Sequence, residues 1–289
     1  MEQAQIIRIV SNQYLVLNEK QESYLCVAMG KLRKGKFSPV VGDQVMVERF
    51  EKQNGIQKIL PRKNELLRPA IANVDQAIII TSIKDPDFSA TLLDRFIFVV
   101  SYAKIKPIIC FTKMDLVSND DPIYDVIKEY QESGYECYIS GEGIDDTALK
   151  QALKGKISVL TGQSGAGKSS LINRLDPSFK LETQSISKAL GRGKHTTRHC
   201  ELHRICDGYL ADTPGFSSLD FTLLDDMILS RSILDFKAYE GACKFNDCKH
   251  IHEPGCKVLE AVNEGKISKT RHQNYIDVME IIKNRKIKY

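Results

Sequence analysis

No stretch of the 289-residue chain is long and apolar enough to cross a bilayer as a helix. The segment Met1 to Val10 lacks the basic region and long apolar run of a secretory signal. No internal repeat and no low-complexity tract stands out, which argues against repeat arrays and long biased tails. Strong charge of one sign is missing too. A formal charge of +4 is no argument for nucleic acid by itself, because distribution matters more than the sum. The eight cysteines do not read as a disulfide framework: Cys26, Cys110, Cys137, Cys200 and Cys206 are scattered, while Cys243, Cys248 and Cys256 crowd around His250. Clustered Cys and His in a chain without a secretory signal favour a metal over disulfides. The expectation is a cytoplasmic monomer with no membrane partner.

What is present fits an ordinary globular protein, with 42% apolar and 27% charged residues. The length suggests about two domains, or three if two are small. Residues 5–60 alternate apolar and polar in short runs, such as Ile6-Ile7-Arg8-Ile9-Val10 and Tyr24-Leu25-Cys26-Val27. About five such strands suggest a small β-barrel, and the OB-fold has that strand count. The loop Gly30–Lys36 carries Lys31, Arg33, Lys34 and Lys36, either as a solvated hairpin loop or as a contact to a phosphate backbone. Leu60–Asn64 reads as a linker. From Asp75 to about Asp220, buried-strand runs alternate with helical patterns, which predicts βαβ units and a parallel sheet. The expected division is a barrel over 1–64, an α/β domain over 65–220 and a mostly helical Cys/His domain over 221–289.

Within the α/β part, the strand Ile157–Thr161 leads into Gly162-Gln163-Ser164-Gly165-Ala166-Gly167-Lys168-Ser169, followed by a helix start at Ser170. This is G-x-x-x-x-G-K-S between a strand and a helix, the context a phosphate loop needs. Glycines let successive N–H groups face the phosphates, Lys168 reaches the terminal phosphates, and the Ser169 hydroxyl ligates Mg²⁺. The loop alone does not choose between ATP and GTP.

Thr112-Lys113-Met114-Asp115 follows a second buried strand and is similar to the N-K-x-D base motif of GTPases. An aspartate in the last place accepts from the guanine ring N–H and exocyclic amine, a pair of donors that adenine lacks. Lys113 would pack its stem along the base. Ser140-Gly141, after the strand 135–139, lies at the same edge of the sheet and could supply backbone contacts to the base. Asp212-Thr213-Pro214-Gly215 resembles D-x-x-G, in which Asp212 serves Mg²⁺ and the Gly215 N–H the γ-phosphate. Between these lies a basic, hydroxylated switch candidate, Gly191–His199, in which Thr196 or Thr197 would complete the Mg²⁺ shell. The order along the chain is base motif, phosphate loop, first switch, second switch. That is a circular permutation of the usual GTPase order, and the folded site survives it if the original termini lie close together.

A permuted GTPase domain between a small barrel and a Cys/His cluster resembles one family, the ribosome small-subunit-dependent GTPase A. The resemblance rests on Gly193-Lys194-His195-Thr196-Thr197 and on Cys243-x4-Cys248-x-His250-x5-Cys256. It implies late assembly of the small ribosomal subunit, contact with its rRNA, GTP hydrolysis stimulated by the subunit, and one structural zinc. Thr112 departs from the asparagine usual at that place. Three thiolates and one imidazole make a closed four-ligand shell, the preference of structural Zn²⁺. Spacing leaves His250 and His252 open; the family pattern falls on His250. Many GTPases orient the attacking water with a glutamine after D-x-x-G, but Phe216 stands there and predicts slow intrinsic turnover. His195, which resembles the family's catalytic histidine, is the candidate replacement. The permutation also joins the second switch directly to the Cys/His region, so nucleotide state is expected to set the angle of that region. Two other classes share parts of the pattern: an ATP-dependent P-loop enzyme, and a passive rRNA-binding module with a vestigial nucleotide site.

Overall fold

Alternating apolar residues close the amino-terminal segment into a five-stranded barrel. The computed structural model describes residues 1–10, 12–33, 38–51, 53–67, 70–177, 201–211 and 219–285, with backbone alone at Lys31, Arg33 and Leu67. The barrel strands are β1 (Glu2–Val10), β2 (Gln13–Asn18), β3 (Ser23–Ala28), β4 (Gln44–Glu48) and β5 (Asn54–Ile59), closed in the order β1-β2-β3-β5-β4. Ala4, Ile6, Val16, Cys26, Val45, Val47 and Ile56 point inward and are buried, as a period of two requires. β3 pairs in parallel with β5 rather than with β4. The basic loop after β3 is therefore no hairpin; it opens with a 3-10 turn over Gly30–Arg33. The segment read as a linker is anchored. Arg62 grips the buried Asp43 carboxylate through Nε at 2.7 Å and Nη2 at 2.8 Å, and Val40 N–H donates to the same group. A short hairpin, β6 (Glu65–Leu67) and β7 (Ala70–Ala72), follows and has no counterpart in the sequence reading.

Contacts divide the chain into two units, Met1–Gln76 with Leu149–Leu160 and Ile172–Phe216, and Ala77–Ala148 with Thr161–Leu171 and Ser217–Tyr289. Beyond the barrel and hairpin, the first unit holds strands in the order β11-β13-β12, where β11 is Ile157–Gly162, β12 Leu202–Ile205 and β13 Gly208–Ala211. β11 and β13 are parallel, and its last two residues carry β11 into the second unit. There the order is β10-β9-β8, with β8 at Gln76–Ser82, β9 at Lys106–Thr112 and β10 at Glu136–Ile139, β9 and β10 being parallel. Helix α1 (Ala90–Tyr102) follows β8 and starts where Ser89 Oγ accepts from the Leu92 N–H, a side-chain cap. Helix α2 (Ile123–Glu132) buries Ile123, Ile127 and Tyr130, one face at helical spacing. Helices α3 (Thr147–Leu153) and α4 (Lys168–Leu175) flank β11 in sequence.

The last part of the second unit is built from short pieces: a helix at Asp226–Ser232, a 3-10 turn at Leu234–Tyr239, and helices at Lys257–Asn263 and Lys269–Lys283. Tyr275 of the last helix is fully buried, edge-on to Phe98 of α1 and to Phe236. This part thus shares a core with α1. Among the described residues no helix is long and apolar enough to cross a membrane.

Candidate functional site

The phosphate loop turns out of β11 at Gly162, whose φ is +134°. A Cβ there would meet the Ile80 carbonyl oxygen at 2.1 Å, so only glycine fits so close to β8. Gln163 to Gly167 form the loop, and Lys168-Ser169-Ser170 begin α4. The Lys168 ammonium bonds the Gly162 carbonyl at 2.8 Å and the Gln163 carbonyl at 2.6 Å, and burial lowers its pKa. A helix start preceded by a turn with glycines at positive φ presents N–H groups to an anion.

The base motif sits at the carboxyl end of β9. Thr112 is buried, and its hydroxyl donates to the Ala166 carbonyl of the phosphate loop at 2.6 Å and lies 3.2 Å from the Thr81 carbonyl. Thr112 is the residue that departs from the asparagine usual in the base motif. The structure uses it as a strut between the base strand and the phosphate loop. Lys113 adopts a left-handed backbone and points its ammonium at the Lys84 and Asp85 carbonyls. Asp115, in the turn Met114–Leu116, accepts the Glu142 N–H at 2.9 Å. Ser140 is tied to the same edge, with its N–H on the Phe111 carbonyl and its carbonyl on the Met114 N–H. Thr112, Lys113, Asp115, Ser140 and the loop 162–170 thus come together in one unit. His195, Thr196, Thr197, Asp212, Gly215, Phe216, Lys34 and Lys36 lie outside the described residues, and at Lys31 and Arg33 only the backbone is described.

The second constellation is the Cys/His knuckle. The His250 Nδ1 lies 3.7 Å from Cys243 Sγ, 3.5 Å from Cys248 Sγ and 3.4 Å from Cys256 Sγ, and the Cys243 and Cys256 sulfurs are 3.9 Å apart. A tetrahedral zinc with bonds of about 2.3 Å to sulfur and about 2.0–2.1 Å to nitrogen has edges of about 3.8 Å and about 3.6 Å. These four separations fit that figure, and all four ligand atoms lie within 4.8 Å of one another. His252 is exposed and stands outside the group. A left-handed backbone at His250 (φ 61°) accompanies this inward turn of its ring. Burial pushes the Cys248 thiol up to about 12, so a cation is needed to hold a thiolate there. Glu253 ties the knuckle loop by accepting the N–H groups of Lys249, Ile251 and His252. The His272 ring donates to the His250 carbonyl at 2.7 Å, and the Tyr275 hydroxyl to the Lys249 carbonyl at 2.7 Å.

One buried network was missed by sequence reasoning. Arg271, 3% exposed, binds Asp94 of α1 at 3.3 Å, Asp235 of the Leu234–Tyr239 turn and Ser133 at 2.9 Å. Its guanidinium lies 4.2 Å over the Tyr130 ring. Tyr130 and Asn274 also donate to Asp94, and Tyr135 donates to Asp235. Charge at the start of a helix reads in sequence as a solvated face, so only the fold could reveal this clamp.

Two family models match the chain, one described as RsgA GTPase over residues 59–222 and one as RsgA N-terminal domain over residues 3–56. The chain is 44% identical over 300 residues to the small ribosomal subunit biogenesis GTPase RsgA of Bacillus pumilus (strain SAFR-032), covering 100% of both. It is 41% identical over 298 residues to the protein of that name from Bacillus subtilis (strain 168), again covering 100% of both. Among solved structures it resembles YloQ, described as a circularly permuted GTPase, with 37% identity, a TM-score of 0.84 and coverage of 100% of this chain and 97% of that one. It equally resembles YjeQ from Thermotoga maritima, with 33% identity, a TM-score of 0.84 and coverage of 99% of each.

Proposed function

The chain belongs to the RsgA GTPase family, and on that premise we propose that it hydrolyses GTP during late maturation of the small ribosomal subunit, slowly alone and faster on the subunit. The observation that carries the nucleotide reading is the union of Asp115 with the phosphate loop. Asp115 is held by the Glu142 N–H, while Thr112 ties its strand to Ala166. A carboxylate so fixed discriminates guanine, because a wrong base leaves buried polar groups unpaired.

The roles follow from chemistry. Gly162–Gly167 wrap the phosphates with backbone N–H groups, and Lys168 neutralises their terminal charge. Ser169 and Asp212, with Thr196 or Thr197, hold Mg²⁺, which when bound offsets the charge of the β- and γ-phosphates. Gly215 N–H senses the γ-phosphate. His195 orients the attacking water in place of the glutamine that Phe216 replaces. Cys243, Cys248, His250 and Cys256 hold one structural zinc, which supplies folding energy rather than chemistry. Lys31, Arg33, Lys34 and Lys36 contact rRNA phosphates. The working division is an RNA-binding barrel over 1–64, the permuted GTPase over 65–220 and the zinc region over 221–289, in a cytoplasmic monomer.

The test is GTP hydrolysis by the full chain with and without purified small ribosomal subunits. Stimulation that disappears in His195→Ala, with nucleotide affinity retained, is expected. Absence of stimulation removes the ribosomal reading, and turnover that persists in Lys168→Ala removes the enzymatic one.

A further inference from the structure

The segment that follows β10 does more than border the base pocket. Ser140, fully buried, is level with Thr112, since Ile139 of β10 pairs with Phe111 of β9. Its backbone is held on both sides by the Phe111 carbonyl at 2.8 Å and the Met114 N–H at 3.2 Å. Its hydroxyl donates to the carboxylate of Asp146, which is 7% exposed. The chain from 140 to 146 therefore returns on itself, and the Ser140–Asp146 hydrogen bond closes the ring. Directly beside that closure, the backbone of Gly141 and Glu142 meets Asp115. A Cβ on Gly141 would lie 2.3 Å from Asp115 Oδ1, so the backbone is in direct contact with the carboxylate, and the next N–H, that of Glu142, donates to the same oxygen at 2.9 Å.

We propose that Asp146, acting through Ser140, is a positioning residue for base selectivity: it latches the 140–146 loop so that the Asp115 carboxylate is held in the plane that guanine requires. The inference rests on the reading of Asp115 as the base-reading group. The physical reason concerns bidentate recognition. Guanine offers two donors, a ring N–H and an exocyclic amine, and both meet one carboxylate only if its plane is fixed. Hypoxanthine offers the ring N–H alone, and one hydrogen bond tolerates a rotating carboxylate. The cost of fixing the plane therefore falls on guanine and not on hypoxanthine. A closed loop meets that cost during folding, before the nucleotide arrives. An open loop leaves it to binding. Asp146 touches no nucleotide in this scheme.

The experiment measures equilibrium dissociation constants of GDP and inosine diphosphate for the full chain by calorimetry, below the melting temperature of each variant. Asp146→Ala and Ser140→Ala are expected to lower the GDP preference over inosine diphosphate by about tenfold, the worth of roughly one charge-assisted hydrogen bond. Asp146→Asn keeps an acceptor for the Ser140 hydroxyl and should hold the wild-type ratio. Asp115→Asn is the control for the underlying reading, and it should exchange GDP for xanthosine diphosphate. If Asp115→Asn leaves the GDP preference intact, the base-reading assignment itself falls. If Asp115→Asn behaves as expected while Asp146→Ala and Ser140→Ala keep the wild-type ratio, the latch alone is overturned. Equal losses in Asp146→Asn and Asp146→Ala overturn it as well. A variant that merely loosens the fold weakens both nucleotides together and leaves their ratio unchanged, and Ser140→Ala decides the matter should Asp146→Ala fail to fold.

Discussion

Replacing Arg271 by methionine removes one buried cation and leaves two buried anions behind. The side chains of Asp94 and Asp235 are only 1% and 2% exposed, so water cannot take over the lost partner. Burial already raises the Asp94 pKa, and Arg271 is the largest influence opposing that rise. Breaking a buried pair from one side costs about 3–5 kcal/mol, because the remaining charge has no compensation. In a domain of this size that corresponds to a fall of roughly 6–20 °C in melting temperature. Scanning calorimetry and urea unfolding of Arg271→Met should both show it. Removing the charges together is the control: Arg271→Met with Asp94→Asn and Asp235→Asn should recover much of the loss, since no anion is then orphaned. A single substitution costing less than about 1 kcal/mol would refute the account of a desolvated clamp. The same clamp bears on nucleotide-dependent movement. A swing of the helix Lys269–Lys283 away from α1 and α2 would have to break the contacts of Arg271 with Asp94 and Tyr130. Movement of that helix with these contacts intact must therefore carry α1 and α2 with it.

Three more outcomes are expected. Thr112→Val keeps the shape of the side chain but removes its hydrogen bond to Ala166, and GDP affinity should fall about five- to tenfold with the preference over inosine diphosphate unchanged; equilibrium titration reads both. Protein purified without added metal should carry close to one zinc per chain, and Cys248→Ser or prolonged chelation should lower the melting temperature; zinc far below one per chain rejects the knuckle assignment. For Glu253, burial pushes the carboxyl up, but the backbone N–H groups of Lys249, Ile251, Glu253 and His252 outweigh burial and hold it at about 2, below its ordinary 4.5. A depressed carboxyl contributes stability above pH 4.5 and loses it as pH falls toward 2, so Glu253→Gln should flatten that part of the wild-type stability profile.

The phosphate loop was legible from sequence because its chemistry is local. Eight consecutive residues, Gly162 to Ser169, carry the turn, the ammonium and the hydroxyl, and the strand before them and helix after them confirm the register. The barrel and α1 were legible for the same reason, since a period of two and a helical period are written within a few residues. Spacing supplied the three thiols but not the choice of imidazole, because His250 and His252 differ in backbone conformation and not in type. What only the tertiary structure decided joins residues far apart in the chain. Thr112 meets Ala166 across 54 positions, and Arg271 and Asn274 meet Asp94 across 177 and 180. No local pattern marks such pairs, for each side chain is an ordinary threonine, arginine or aspartate until folding removes its water and leaves one partner within reach.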